Sequence, residues 1–339
     1  MVGLVSTLTG LAAPNAAAQA VPGLTAVPEL ARAYDAIFNV QLDEVPRLLA
    51  EACGPAPEEA CQLLDAIALW WRIQLDPLNR SRDAEFHTRV GAAIAASEAW
   101  TERDPGRAEA WFYLGAAYGA RVQWRVLRGE RLSAAFDGRR VKDALERALE
   151  LDPGMDDAYF GIGLYHYYAD VAPAAARILR WLLFLPGGDR ERGLEEMRRA
   201  RAGGQLVRSE ADYQLHLMDI WYEQQPGHAL ELLAGLRDRH PANPHFVQAT
   251  AEIEDVYLHD PAASLRTWQA LLEAALDRRV AEPAMAETAA RLGMARQLER
   301  LSDTEQAIEQ LRAVVEAKPT APFGAYADAQ RQLARLVDR

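Results

Sequence analysis

GLYHYYADV, residues 163–171, packs an imidazole, three phenols and a carboxylate into six positions: Tyr165, His166, Tyr167, Tyr168 and Asp170. Such groups can move protons, so Tyr167, His166 and Asp170 are the candidates for an enzyme site. LDPLNRSRD (75–83) gathers Asp76, Asn79, Arg80, Arg82 and Asp83. Its carboxylates would suit acid–base work, but a capped helix start at Asp83 accounts for most of them. His240 and His245 lie in RHPANPHF, a turn with two prolines and no third ligand nearby, so no metal is expected. HExxH, GxSxG, a Walker loop and GxGxxG are all missing. The chain is therefore read as non-enzymatic, without cofactor or metal.

The elements that carry these groups are helices. Segments rich in Ala, Leu, Glu and Arg place apolar residues three and four apart, broken by Pro or Gly, with no alternating β-branched runs. With 339 residues, half of them hydrophobic, the chain can bury a large core. Its net charge of −12 gives no overall field for phosphates, so nucleic acid is not an expected partner.

The helices repeat. RDPGRAEAWFYLGAAYGA (103–120) aligns with LDPGMDDAYFGIGLYHYY (151–168) at an offset of 48, matching Pro105 to Pro153, Trp111 to Tyr159, Gly115 to Gly163 and Tyr118 to His166. Later units give Tyr213, Leu217, Ile220, Ala229, Leu233, Leu236 and Pro241, and Ala307, Leu311, Val314 and Pro319. This spacing resembles the tetratricopeptide repeat, in which small residues at positions 8 and 20 let two helices approach and larger ones fill around them. Val141 departs from that pattern at position 20. The resemblance implies an all-α, right-handed superhelical solenoid of antiparallel helix pairs with two enlarged repeats.

The expected organisation is a leader over 1–20, N-terminal helical pairs over 21–106, two enlarged repeats over 107–205, three repeats over 206–319 and a capping helix over 320–339. His166 takes the slot of Tyr118 one repeat earlier, so a packed, inert imidazole is expected. In the family, positions 2, 5, 9, 12 and 13 of the first helix face a concave groove where peptides lie. Carried over, they give Phe112, Phe160, Gln214 and Gln248 at position 5, Arg296 at 9, and Tyr167, Tyr168, Trp221 and Tyr222 at 12 and 13. An aromatic groove suits interaction anchors. The competing expectation is that long helices and inserts cover this face and turn it into core.

Two inserts separate positions 11 and 20. In the first, Arg121, Arg125 and Arg128 form a one-face stripe that could hold an anion or pair with Glu130, Asp137 and Asp143. Either both helices of that pair are longer by about two turns, or a short extra helix intervenes. The second insert sets Trp181 to Leu185 beside Arg177 and Arg180. Packing on the neighbouring repeat is favoured there over an interfacial membrane helix. This stretch and its flanks are similar to a segment of tetratricopeptide repeat domain 39 proteins and the inclusion-body clearance family, which implies interaction or membrane association and no reaction.

Val2 to Ala13 is apolar and Ala18-Gln19-Ala20 fits a cleavage site, so residues 1–20 are read as a signal peptide or flexible leader of a bacterial, periplasmic protein, with a cytoplasmic location as the alternative. Cys53 and Cys61 flank Gly-Pro-x-Pro in an interhelical turn and would form a disulfide if the chain is exported. The functional expectation is a scaffold for a peptide or partner helix. Its runner-up is a membrane-peripheral assembly or lipid-associated factor.

Overall fold

A computed structural model describes residues 23–172 and 187–338. Every regular element among them is a helix, and no strand occurs. Each helix packs on the next, giving seven pairs and a terminal helix. The first two pairs are α1 (Val27–Phe38) with α2 (Val45–Ala52), and α3 (Glu58–Leu75) with α4 (Asp83–Arg103). The enlarged pairs are α5 (Ala108–Leu127) with α6 (Arg131–Leu151), and α7 (Ala158–Val171) with α8 (Arg190–Gly203). Then come α9 (Arg208–Met218) with α10 (Pro226–Arg239), α11 (Pro244–Val256) with α12 (Pro261–Leu276), and α13 (Pro283–Arg300) with α14 (Thr304–Ala317). The last helix is α15 (Ala325–Val337). A π-helical turn, Asp219–Glu223, extends α9.

Local chemistry sets the helix boundaries. Proline opens α1, α2, α10, α11, α12 and α13, where its missing N–H costs no intrahelical bond. Asp189, Asn243, Asp260 and Asp303 accept N-cap hydrogen bonds from the first turns of α8, α11, α12 and α14. The first insert is resolved as longer helices: α5 and α6 run 20 and 21 residues and meet in a short turn at Arg128–Glu130.

Small residues permit the crossings. A Cβ on Gly163 would lie 2.9 Å from the Gly193 carbonyl oxygen, and one on Gly193 would lie 2.6 Å from the Tyr167 nitrogen. The backbones of α7 and α8 meet there, as positions 8 and 20 of the repeat require. In the pair with Val141, the buried Leu145 of α6 fills the space instead, lodged against Gly115 of α5 and Gly161 of α7.

The solenoid closes on itself. First helices touch first helices (α1 with α3, α3 with α5, α5 with α7), and one apolar core runs from Leu30 to Ile253. Within it Trp71 of α3 lies 5.5 Å from the Tyr213 ring of α9, and Phe38 lies 5.2 Å from His240. Tyr213 donates to Gln74 at 3.2 Å, and Phe323 N donates to Asp76 at 2.9 Å. The N-terminal pairs thus pack against helices more than a hundred residues downstream rather than extending an open array.

Candidate functional site

The GLYHYYADV stretch is a repeat helix. His166 is buried, and its Nδ1 lies 2.7 Å from Glu196 Oε2 across the α7–α8 crossing. Arg192 holds the other carboxylate oxygen of Glu196 at 2.8 Å. The imidazole is packed as the repeat alignment expects, but it is also a buried polar partner, which the alignment did not foresee. A Phe at 166 would leave Glu196 short of that partner, so the expectation of an inert slot needs this amendment.

Three of the nine groove residues are interior. Tyr167 is fully buried, and its hydroxyl donates to Glu223 at 2.6 Å. Burial, then the hydrogen bond to Glu223, hold its phenol well above the ordinary value. Arg190 grips the same Glu223 carboxylate through two nitrogens. Phe112 is buried against Tyr113, and Gln214 is buried against Glu210. These three are core and contribute no groove surface: Phe112 belongs to the core shared with α1 and α3, Gln214 binds Glu210 beneath Tyr34 of α1, and Tyr167 is covered by α8, α9 and the π-helical turn.

The other six reach solvent at least in part. Phe160 and Tyr168 are half-buried against a small cluster of α7, α8 and α9. Trp221 is 58% exposed and Tyr222 is 42% exposed, side by side on the π-helical turn. The rings of Tyr167, Tyr168 and Tyr222 meet edge to face with centroids 5.4, 5.8 and 5.9 Å apart. Gln248 is half-buried and Arg296 is exposed.

Glu252 of α11 reaches solvent; partial desolvation raises its carboxyl, with the Arg296 charge opposing the shift. Tyr213 is raised first by burial, then by the charges of Glu210, Glu252 and Tyr168. Tyr168, Tyr213, Glu252 and Arg296 come from α7, α9, α11 and α13, all first helices of their pairs.

Around Tyr213 lies a buried polar cluster that the repeat spacing did not foretell. Burial raises Glu210 to about 7, against hydrogen bonds from Gln214, Gln123 and Tyr34 that oppose the rise. Burial also lowers His216 to about 3, with His245 adding to the shift, and lowers His245 itself to about 4. The signal available was Glu210 and Gln214 four apart and Tyr213 and His216 three apart, polar groups on two faces of a helix already assigned to the repeat. Among the described residues no set of three metal-ligating side chains comes together.

The arginine stripe is not an anion patch. Arg121 donates twice to Asp137, at 2.7 and 2.9 Å, and Arg125 reaches the same fully buried carboxylate at 2.7 Å. Arg128 is tied to Asp83 at 2.7 Å and to the Pro77 carbonyl at 2.6 Å. These guanidinium groups are spent on internal partners, so of the two roles expected of the stripe the pairing with Asp137 and Glu130 is the one seen, and no anion site is formed by them. Asp76 and Asp83, the paired carboxylates of the 75–83 loop, are likewise engaged, by Phe323 N and by Arg128.

Cys53 and Cys61 are joined in a disulfide across the α2–α3 turn. The leader over 1–20 and the Trp181–Leu185 insert lie outside the described residues. No helix among the described residues is long and apolar enough to cross a membrane. No protein-family model matches the chain, and no curated protein matches it.

Proposed function

We propose that this chain is a non-enzymatic scaffold of the tetratricopeptide type, working in a bacterial cell envelope, that holds an extended peptide or partner helix. One observation carries the reading: Trp221 and Tyr222 stand exposed on a π-helical turn, with Tyr222 packed edge to face on Tyr168. π-Turns recur at functional positions, and rigid aromatics give contact area at low entropic cost. Glu252 and Arg296, on first helices further along the chain, offer a carboxylate and a guanidinium that would fix the orientation of a bound segment. The disulfide and the small-residue run before Pro22 support export.

The test is a photoreactive residue at position 221, compared with one at the equally exposed Leu276, in cells of the source organism. The reading expects a discrete adduct from 221 alone. The partner so identified should bind the purified Tyr222→Ala protein at least about tenfold more weakly, as an interface anchor requires. Identical adduct patterns from both positions would overturn the assignment.

A further inference from the structure

At the far end of the α5–α6 hairpin, four large apolar side chains stand in water. Leu78 is 71% exposed, Val126 61%, Leu132 50% and Phe136 43%. Leu132 and Phe136 are one turn apart on α6, and Arg140 continues that stripe one turn further. Leu78 joins them because Arg128, at the end of α5, holds the Pro77 carbonyl at 2.6 Å and fixes the 77–83 loop beside the hairpin. Isolated exposed leucines need no explanation, but a cluster at one tip does.

The charge around this tip runs against the rest of the chain. Residues 77–83 and 125–140 contain seven arginines (80, 82, 125, 128, 131, 139 and 140) and three acids (Asp83, Glu130 and Asp137), a local excess of +4 in a protein of net charge −12. Asp137 and Asp83 neutralise Arg121, Arg125 and Arg128 inside the hairpin, while the exposed Glu130 faces Arg125 at 3.8 Å and Arg139 pairs with the exposed Asp143 at 3.5 Å. Arg80, Arg82 and Arg131 are exposed. The patch therefore presents apolar side chains with these three outward cations beside them.

We propose that the α5–α6 tip docks on an anionic lipid surface, with Leu132 and Phe136 entering the headgroup layer and Arg80, Arg82 and Arg131 meeting its phosphates. An acidic protein surface is repelled by such a bilayer, so the positive rim both orients the approach and selects this end of the molecule. Apolar side chains of this size bind membranes stably only when joined to a basic patch, and both occur at the tip. The surface shares no residue with the Trp221–Tyr222 patch, so a scaffold could be held at a membrane without spending its partner anchors.

The experiment is co-sedimentation of the full chain with vesicles of phosphatidylcholine alone and of phosphatidylcholine mixed with phosphatidylglycerol. Binding is expected to the mixed vesicles only, and to fall as salt is raised. Two variants, Leu132→Ser/Phe136→Ser and Arg80→Gln/Arg82→Gln/Arg131→Gln, should each weaken it at least about tenfold with helical content and melting unchanged, while Trp221→Ala should bind as the wild type does. Equal binding by wild type and both variants, or none to the anionic vesicles, would overturn the proposal. So would a dimer in solution that Leu132→Ser/Phe136→Ser dissociates, which would give the patch to a second copy of the chain.

Discussion

Asn243 donates through Nδ2 to the carbonyl oxygen of Phe38, 205 residues earlier, at 2.8 Å and out of contact with solvent. Its Oδ1 meanwhile accepts from His245 N and caps α11. One side chain thus starts a late helix and satisfies the end of the first one. Beside it Asn39 meets His240, whose other nitrogen is 2.7 Å from Ser209. These polar pairs cross a seam otherwise packed by the Phe38, His240 and Phe246 rings, and they fix its register in a way that apolar packing alone would not.

Replacing Asn243 by Ala removes a helix cap and strands a buried carbonyl. Loss of the cap costs about 1 kcal/mol and the unpaired carbonyl about 1 to 3 kcal/mol. Denaturant unfolding should shift by roughly their sum, and hydrogen exchange in α1 should quicken more than exchange in α14. Uniform exchange throughout the molecule would show that the seam does not hold α1 in place.

The pairs were legible in the sequence because their packing is local. Gly163 and Gly193 sit where two backbones meet, and the proline and aspartate punctuation marks helix ends that the structure repeats. The seam was not legible, because nothing in a single sequence relates Phe38 to Asn243 or Trp71 to Tyr213. That omission also misplaced Phe112 and Gln214, while Tyr167 is covered by α8, α9 and the π-helical turn next to it. A position-by-position mapping knows which face a residue takes but not whether distant helices close over that face. The arginine stripe was legible, since its one-face spacing and its pairing with Asp137 both appear, although the burial of Asp137 across the hairpin did not follow from spacing.

The buried ionisable groups make stability depend on pH in two windows. Glu210 is raised to about 7 from an ordinary value of 4.5. Its favourable contribution is therefore complete below about pH 4.5 and is lost as pH rises through about 7, by up to about 3 kcal/mol. His216, His240 and His245 are lowered to about 3, 4 and 4 from 6.5. Their contribution is complete above about pH 6.5 and is lost as pH falls toward 4. Between about pH 4.5 and 6.5 the three imidazoles outweigh the single carboxylate, so unfolding midpoints should rise to a maximum near pH 6.5 to 7, and Glu210→Gln should steepen that rise. An unchanged slope in that variant would remove Glu210 from the account.

Reducing the Cys53–Cys61 disulfide, which closes a sequence separation of 8, should cost about 2.5 kcal/mol in the chain-entropy model. The double variant Cys53→Ser/Cys61→Ser should show the same loss without reductant and no further response to it. The α2–α3 turn should become the first site of proteolysis, since the tie holds the two helix ends together. A variant as stable as the oxidised wild type would mean that packing of Ala52 and Ala56 alone secures the turn.

Asp137 is the most connected carboxylate of the enlarged repeat, fully buried and bound by Arg121, Arg125 and Arg140. Removing it by Asp137→Ala leaves two nearly buried guanidinium groups without a counter-charge, a change that typically costs about 3 to 5 kcal/mol. Asp137→Asn keeps the shape and one acceptor, so it should fall between the wild type and Ala. The loss should appear as selective loosening of the α5–α6 hairpin, read by hydrogen exchange over 120–140, before the α9–α11 core responds. Because the hairpin also presents Leu132 and Phe136, the Ala variant should expose further apolar surface and bind a hydrophobic dye more strongly. If it instead unfolds together with the whole chain in one transition, the hairpin is not a separate cooperative unit, and its ends are held by the Arg128–Asp83 tie as much as by Asp137.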